Sequence, residues 1–155
     1  MVSGMVGSAE PVDREGITRM TDEQALGRPI GWWLKEADAR LDATFERTLR
    51  GSAIDRRGWQ VLNSLARRPT SRTELVASLA SFDEPAVVQG VVAEMQDRLM
   101  VEEAAGLLQL TPSGARKQAD LAPLVDGVRQ QISAALPQED YITLVRLLAR
   151  LTEAL

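Results

Sequence analysis

The side chains that could do chemistry in this sequence are few, because its 155 residues include no histidine and no cysteine. Without them the chain lacks a thiolate nucleophile, the usual zinc ligands and the commonest general base near neutral pH. No phosphate-binding glycine loop, nucleophile elbow or paired-carboxylate spacing stands out either. We therefore expect no catalytic residue, no metal site and no cofactor, and the sequence does not predict an enzyme.

Three arginines form the clearest charged cluster. Arg67, Arg68 and Arg72 lie on both sides of Pro69, at the junction of two predicted helices, where guanidinium groups could contact phosphates. The alternative is that they are solvated residues of a turn, and the sequence does not decide between the two. The net charge of −4 provides no basic field that would attract nucleic acid.

A segment further along the chain could contact base edges. The amide of Gln89 could hydrogen-bond to adenine in a major groove, although a plain exposed helix residue is the commoner interpretation of a single glutamine. Gly90 costs about 1 kcal/mol relative to alanine inside a helix. Either close approach of DNA or close packing of another helix would explain a glycine at this position.

The elements that must position these residues are mainly helical. Residues 1–27 show no sustained periodicity, and we expect a flexible N-terminal tail there. The tail contains no secretory signal, and no segment of the chain approaches the length of apolar sequence needed to cross a membrane. We expect a cytoplasmic protein with no membrane partner.

Apolar residues recur at helical spacing over 28–51, and three further helices follow before the period changes. Two short strand-like segments, 100–102 and 107–110, then predict a β-hairpin that turns through 104–106. Helical periodicity returns at 111, with an expected kink at Pro123, and a last helix follows residue 137. Residues expected to cap these helices are Asp55, Ser71 with Glu74, Ser81 or Asp83, and Thr111 with Pro112.

The helices at the two ends are too apolar for the small core that they flank. Because a partner chain explains such stripes better, we expect a homodimer. The stripe on the last helix comprises Tyr141, Leu144, Leu148, Leu151 and Leu155.

Helix, helix, short helix, helix and hairpin, in this order, are typical of a winged helix-turn-helix. The expected fold class is therefore mainly α, a winged helix-turn-helix with a small β-hairpin wing and long flanking dimerisation helices. Five segments carry a more specific signal: GWQVL at 58–62, TELV at 73–76, VVAEM at 91–95, LTPSG at 110–114 and LLARL at 147–151. With these segments in this order, the sequence resembles the MarR family of bacterial transcriptional regulators over residues 28–155.

The resemblance implies a homodimer joined through its first and last helices, with one winged domain for each half-site of a double-stranded DNA inverted repeat. It also implies small aromatic effectors near the dimer interface, where Trp32 and Trp33 could line a cleft. The interpretation that we favour is packing of Trp33 in the core, with Trp32 on a partly covered flank, because aromatic residues at helical spacing usually pack. Trp59 is expected in the core. The positions that match the DNA-contacting face of the family are Ala86, Val87, Gln89 and Gly90.

Two features depart from the family pattern. Members of the family usually carry Ser, Thr and Arg on the exposed face of the recognition helix, whereas residues 83–98 contain four acids and one arginine. The wing of the family carries an arginine, whereas residues 102–106 contain none. Across 55–110, eight acidic residues outnumber six arginines. Because neutralised phosphates supply much of the affinity for DNA, these departures bear directly on function.

Two hypotheses follow. In the first, residues 28–51 and 111–155 form the dimerisation helices of a MarR-like regulator, and residues 55–110 form a winged helix-turn-helix that binds DNA. In the second, the winged-helix protein has lost direct contact with DNA bases and acts through a protein partner. The order of elements and the arginine cluster favour the first hypothesis, and the acidic recognition helix and bare wing favour the second.

Overall fold

The computed structural model describes residues 20–155, so most of the expected N-terminal tail, residues 1–19, lies outside the described part. The described residues divide into two compact units, with the boundary between residues 40 and 41. Within the described residues, no helix is both long and apolar enough to cross a membrane. These residues form, in order, α1 (Asp22–Leu26), α2 (Ile30–Thr48), α3 (Arg56–Arg67), α4 (Arg72–Leu79), α5 (Pro85–Asp97), β1 (Val101–Ala104), β2 (Leu107–Leu110), α6 (Pro112–Ala135) and α7 (Gln138–Ala154).

The short helix α1 lies inside the segment for which the sequence predicts no element. Thr21 and Gln24 form a capping box, in which each side chain accepts a hydrogen bond from the backbone N–H of the other residue. Five residues are too few to show the apolar periodicity of a helix, so no such periodicity predicts α1. The capping box is its main sequence signal.

The core of the second unit lies around α3, which packs against α4, α5, α6 and β2. The expectation that Trp59 lies in the core is confirmed, since its side chain is buried. Leu62, Val92 and Leu108 are fully enclosed, so α3, α5 and the hairpin share one apolar centre. The other members of the core include Leu65, Leu75, Leu79, Val88, Met95, Val101, Leu121 and Val125.

Local capping explains where most of the helices begin. The side chains of Asp55, Ser71 and Thr111 each accept a hydrogen bond from a backbone N–H three residues later, as the sequence predicts. The expected cap of α5 by Ser81 or Asp83 is wrong. Glu84 occupies the cap position, and its side chain makes no capping hydrogen bond. The Asp83 carboxylate instead accepts hydrogen bonds from the guanidinium of Arg57.

The hairpin closes through a two-residue turn. Val101 pairs with Leu110 and Ala104 with Leu107, which leaves Ala105 and Gly106 as the turn residues. Both have positive φ angles, 51° and 76°, as a type I′ turn requires. The turn of the wing therefore contains only two residues, and an isolated bridge from Thr70 to Leu108 extends the sheet towards α4.

The segment 110–114 joins the hairpin to α6 through backbone contacts that require its residue types. Thr111 caps the helix and Pro112 occupies its first turn, where a missing N–H costs nothing. Gly114 packs against the carbonyl of Met100, and a Cβ atom at this position would overlap the carbonyl oxygen. The Leu-Thr-Pro-x-Gly sequence therefore encodes a cap, a helix start and a close approach of two backbones.

One expectation for the end of α5 needs correction. The apolar spacing of Val92 and Met95 predicts Leu99 on the same face of the helix, but Leu99 lies beyond its end with a φ angle of 55° and is 73% exposed. Pro123 lies inside α6, which continues through it as one helix from Pro112 to Ala135. On α7 no residue is buried, and its exposed apolar residues are Tyr141, Ile142, Leu144, Val145 and Leu147.

Candidate nucleic-acid interface

The helix α5 presents one apolar face to the core and another face to solvent. Val88, Val92 and Met95, spaced by four and three residues, are buried. The four predicted recognition positions, Ala86, Val87, Gln89 and Gly90, are all exposed. This solvent face therefore carries small apolar groups and one amide, and no charged side chain before Glu94.

A groove between α4 and α5 brings two predicted site residues together. It has a volume of about 320 Å³, with Arg72 on one wall and Gln89 on the other. Its remaining lining is mostly small and apolar: Thr73, Val76, Ala77, Ala80 and Pro85. Arg72 and Gln89 are 17 residues apart in the sequence, and the groove makes them neighbours on one surface.

Gly90 has open space around it. A Cβ atom built there would have no described atom within 4 Å, so close packing of another helix does not account for the glycine in the described part of the chain. A glycine inside a helix costs about 1 kcal/mol relative to alanine. No close contact of Gly90 within the described chain offsets this cost.

The three clustered arginines differ in what they contact. Arg67 is exposed and forms no ion pair with another residue between 20 and 155. Arg68 lies 4.0 Å from the Glu74 carboxylate, at the outer limit of an ion pair, and is largely exposed. Arg72, in contrast, is held on both sides. One of its terminal nitrogens donates hydrogen bonds to Gln96 Oε1 at 3.2 Å and to Glu103 Oε2 at 2.9 Å.

The carboxylate of Glu74 is occupied by the local backbone and by hydroxyl groups. The Thr70 hydroxyl donates a hydrogen bond to it at 2.8 Å, and this bond, followed by those from Ser71, lowers the pKa of Glu74 below its usual value. Glu74 therefore stays ionised near the start of α4, where the positive end of the helix dipole favours it. Its negative charge lies beside Arg68 and reduces the positive potential of the cluster.

A second ion pair fixes the turn before α5. The Arg57 guanidinium donates two hydrogen bonds to Asp83, at 2.8 and 2.6 Å. These bonds lower the pKa of Asp83 and raise that of Arg57. The pair joins the start of α3 to the α4–α5 turn, and so orients α5 against the rest of the winged domain.

The two predicted tryptophans lie in the first unit. Trp32 and Trp33 are half-buried and meet edge to face with ring centroids 4.8 Å apart, so the expectation that Trp33 is a core residue is wrong for this unit. Arg28, which the sequence analysis did not single out, stacks on Trp32 with its guanidinium carbon 3.9 Å from the ring centre. Arg28 and Trp33 also line a cavity of about 350 Å³ with Met20, Gln24 and Gly27.

A third cavity, of about 370 Å³, lies beside the end of α2 and the end of α5. Its apolar floor is Leu49, Ile54 and Met95. Three carboxylates and two guanidinium groups surround it, so it favours neither an anion nor a cation. Among the described residues, no cluster of acidic side chains could hold a metal ion.

No protein-family model matches the chain, and no curated protein matches it. Solved structures do. BpsR of Bordetella bronchiseptica is 23% identical and superposes with a TM-score of 0.70, covering 82% of this chain and 96% of its own. A probable transcriptional regulator from Pseudomonas aeruginosa is 26% identical, with a TM-score of 0.67 over 81% of this chain and 98% of its own. A MarR-family regulator from Rhodococcus sp. RHA1 is 20% identical, with a TM-score of 0.68 over 81% of this chain and 93% of its own.

The chain has the MarR fold. The resemblance inferred from five short segments is thus confirmed at the level of fold, as is the mainly α winged helix-turn-helix with a two-stranded wing. Within this MarR fold, α5 is the helix that the sequence resemblance matches to the recognition helix of the family, and β1 and β2 form the wing. The departures seen in the sequence persist in three dimensions, because the exposed face of α5 lacks a cation and the wing presents Glu102 and Glu103.

Proposed function

We propose that this protein is a homodimeric transcriptional regulator that binds a short inverted repeat of double-stranded DNA through α5 and the α3–α4 junction. The observation that carries the proposal is the solvent face of α5, which is exposed in the described part of the chain and lies beside Arg72 across a shared groove. Solved neighbours with this fold include BpsR, whose DNA binding is regulated. In this proposal residues 55–110 bind DNA, and residues 28–51 and 111–155 form the dimer.

The face of α5 suits a major groove with A·T base pairs. Ala86 and Val87 offer methyl groups of the kind that contact the thymine C5 methyl, and the Gln89 amide could bond both N6 and N7 of adenine. Gly90, with open space outside it, would let the helix backbone approach the DNA closely.

The arginines would position the protein on the phosphate backbone. Arg67, Arg68 and Arg72 allow about two or three phosphate contacts for each subunit, so a dimer would show a log–log salt slope of roughly −4 to −5. Such a slope is shallow beside that of a DNA-binding protein with about 6–10 phosphate contacts. The expected binding is therefore weak at physiological salt and strongest at low salt.

The test is selection of bound DNA from a random duplex pool at low salt, followed by affinity measurements on five alanine variants. Arg72→Ala should weaken binding to all sequences alike and flatten the salt slope by about two units, one for each subunit. Arg129→Ala is its matched control, because Arg129 is also an ion-paired arginine, 2.8 Å from Asp126, but lies on α6. Gln89→Ala should cost about 1–3 kcal/mol at a single base pair.

Gly90→Ala separates stability from binding. Because a Cβ atom there meets nothing in the described chain, the variant should be more stable by up to about 1 kcal/mol. The same methyl group would lie between α5 and the DNA, so affinity should fall. Gly127→Ala on α6, where a Cβ atom also has nothing within 4 Å, should gain stability without losing affinity.

A small aromatic acid is the proposed effector, bound where Arg28, Trp32 and Trp33 meet. The stacked guanidinium offers a charge for a carboxylate, and the two rings offer faces for an aromatic body. 6-Hydroxynicotinic acid regulates BpsR, and NadR has been solved with 4-hydroxyphenylacetate. Titration of 6-hydroxynicotinate should change tryptophan fluorescence and release DNA. Neither effect should occur in Arg28→Ala if this site is correct.

The second candidate function is action through a protein partner without direct contact with DNA bases. The pairing of Arg72 with Glu103 and of Arg68 with Glu74 favours it, since two of the three clustered guanidinium groups face carboxylates in the free chain. If the pool selection retains no DNA even at low salt, the DNA-binding proposal is wrong and this candidate replaces it.

A further inference from the structure

The Arg72 side chain connects three elements of the winged domain. It starts from the first residue of α4 and reaches Gln96 near the end of α5 and Glu103 on β1 of the wing. The residue nearest to Arg72 in sequence among these partners is 24 positions away. The contact is therefore a product of the fold rather than of a local turn.

The two acids of the wing lie on opposite faces of the hairpin. Glu103 is opposite Leu108, which is fully buried, so Glu103 lies on the face that turns towards the helices. Glu102 is opposite Gln109 and accepts a hydrogen bond from its amide at 2.8 Å. One carboxylate thus contacts the guanidinium group best placed beside the α4–α5 groove, and the other does not.

We propose that Glu103 is an internal competitor for DNA phosphate, which occupies Arg72 in the free protein and thereby sets a low affinity for DNA. A carboxylate and a phosphate both accept hydrogen bonds from the N–H groups of a guanidinium. The Arg72 nitrogen that donates to Glu103 therefore cannot also donate fully to a phosphate. Binding to DNA requires either release of this bond or sharing of it, and each lowers the net gain from the phosphate contact. The inference rests on the proposed DNA-binding function.

The exposure of the pair determines the size of the effect. The side chains of Arg72 and Glu103 are 37% and 42% exposed, so water screens them and the bond is a weak one. Removing the negative charge should therefore tighten binding by about threefold for each subunit, or about tenfold for a dimer. A bond this weak is also able to open during binding.

A purely structural role for the same bond predicts the opposite result. If Glu103 served to hold the wing against α4 and α5, its removal would loosen the wing and weaken DNA binding. The direction of the change in DNA affinity therefore distinguishes competition with phosphate from a structural role of Glu103 in holding the wing.

The experiment compares Glu103→Gln with Glu102→Gln, which removes the same charge from the same strand on the other face. Affinity for a labelled duplex of about 30 base pairs of mixed sequence is measured by fluorescence anisotropy between about 50 and 200 mM salt. Circular dichroism and thermal unfolding establish that each variant remains folded. The pair Arg72→Ala and Arg72→Ala with Glu103→Gln completes a double-mutant cycle.

We expect tighter binding by Glu103→Gln, a change of less than about twofold for Glu102→Gln, and no gain from Glu103→Gln once Arg72 is absent. Equal gains for the two glutamate variants would indicate general charge repulsion and overturn the inference, as would unchanged or weaker binding by Glu103→Gln. In each of those outcomes the wild-type chain still binds DNA, so the proposed function stands. Failure of all the chains to bind DNA at low salt overturns the proposed function as well.

Discussion

The substitution Gly114→Ala tests whether the backbone contact between α6 and the wing is as close as the structure indicates. A Cβ atom at this position would overlap the carbonyl oxygen of Met100 and lie 2.8 Å from its carbonyl carbon. The same carbonyl accepts a hydrogen bond from Thr111 N at 3.1 Å, so it cannot rotate away without losing that bond. The overlap must be relieved by moving backbone, either α6 or the segment after α5.

Two opposing terms determine the expected magnitude. Replacing a helical glycine by alanine gains up to about 1 kcal/mol from helix propensity. Overpacking against rigid backbone costs about 1–3 kcal/mol and occasionally more. Because no flexible side chain can yield here, the cost should lie at the upper end of this range, and we expect a net loss of about 2 kcal/mol. In a domain of this size, such a loss lowers the melting temperature by roughly 4–8 °C.

The assay is urea unfolding at one fixed protein concentration, because dissociation of an oligomer would make the midpoint depend on concentration. Gly127→Ala in the same helix is the matched control, since a Cβ atom there has nothing within 4 Å and only the gain in propensity remains. The two alanine variants should therefore change stability in opposite directions. Equal stability of the two would refute the close approach, and with it the explanation of the Leu-Thr-Pro-x-Gly segment.

Three further predictions concern the dimer, pH and oxidation. Leu148→Asp should dissociate or unfold the dimer by placing an unpaired charge in its interface, and a stable 17.0 kDa monomer of the unmodified chain in light scattering would contradict the dimer itself. Asp83→Asn should cost up to about 1 kcal/mol at pH 7. Because Arg57 lowers the pKa of Asp83 in the folded chain, this contribution is present above the unfolded pKa and is lost as the pH falls through the folded value, so the variant and the wild type should converge in acid unfolding below about pH 4. With no cysteine or histidine, DNA binding should not depend on thiol redox state or zinc, and loss under mild peroxide with recovery in a thiol reductant would contradict this expectation.

The fold could be predicted because its determinants are local. The capping box of Ser71 and Glu74 and the cap at Thr111 each involve residues three positions apart, and the apolar period of α5 appears directly in Val88, Val92 and Met95. The turn of the hairpin needs a residue that tolerates a positive φ angle, and Gly106 supplies one. Each of these signals involves residues within one or two helical turns, or within one hairpin turn, so they can be recognised in the sequence before the fold is known.

The contacts of the site could not be predicted, because they join residues distant in sequence. Asp83 has the residue type and position of a helix cap, but Arg57, 26 residues earlier, takes its carboxylate instead. Arg72 and Glu103 are 31 residues apart, and nothing in either neighbourhood indicates the pairing. The stacking of Arg28 on Trp32 spans only four residues, but Arg28 precedes α2 and lacks the helical context that would have suggested it.

The distribution of these pairs changes what the acidic composition implies for DNA binding. The excess of acids over arginines in 55–110 suggests uniform repulsion of DNA, yet most of these acidic side chains form hydrogen bonds or ion pairs within the chain. Asp55 caps α3, Asp83 holds Arg57, and Glu94 accepts a hydrogen bond from Arg98. The opposite charges of a close ion pair cancel at distances beyond a few ångströms, and salt screens the remaining charges within about 10 Å. The few charged groups beside the α4–α5 groove should therefore affect DNA binding more than the total charge does. Arg72 lies beside this groove and is paired with one carboxylate, whereas Arg67 at the end of α3 has no carboxylate partner among residues 20–155. In the proposed interface, the contribution of Arg72 to phosphate binding therefore depends on whether Glu103 releases it.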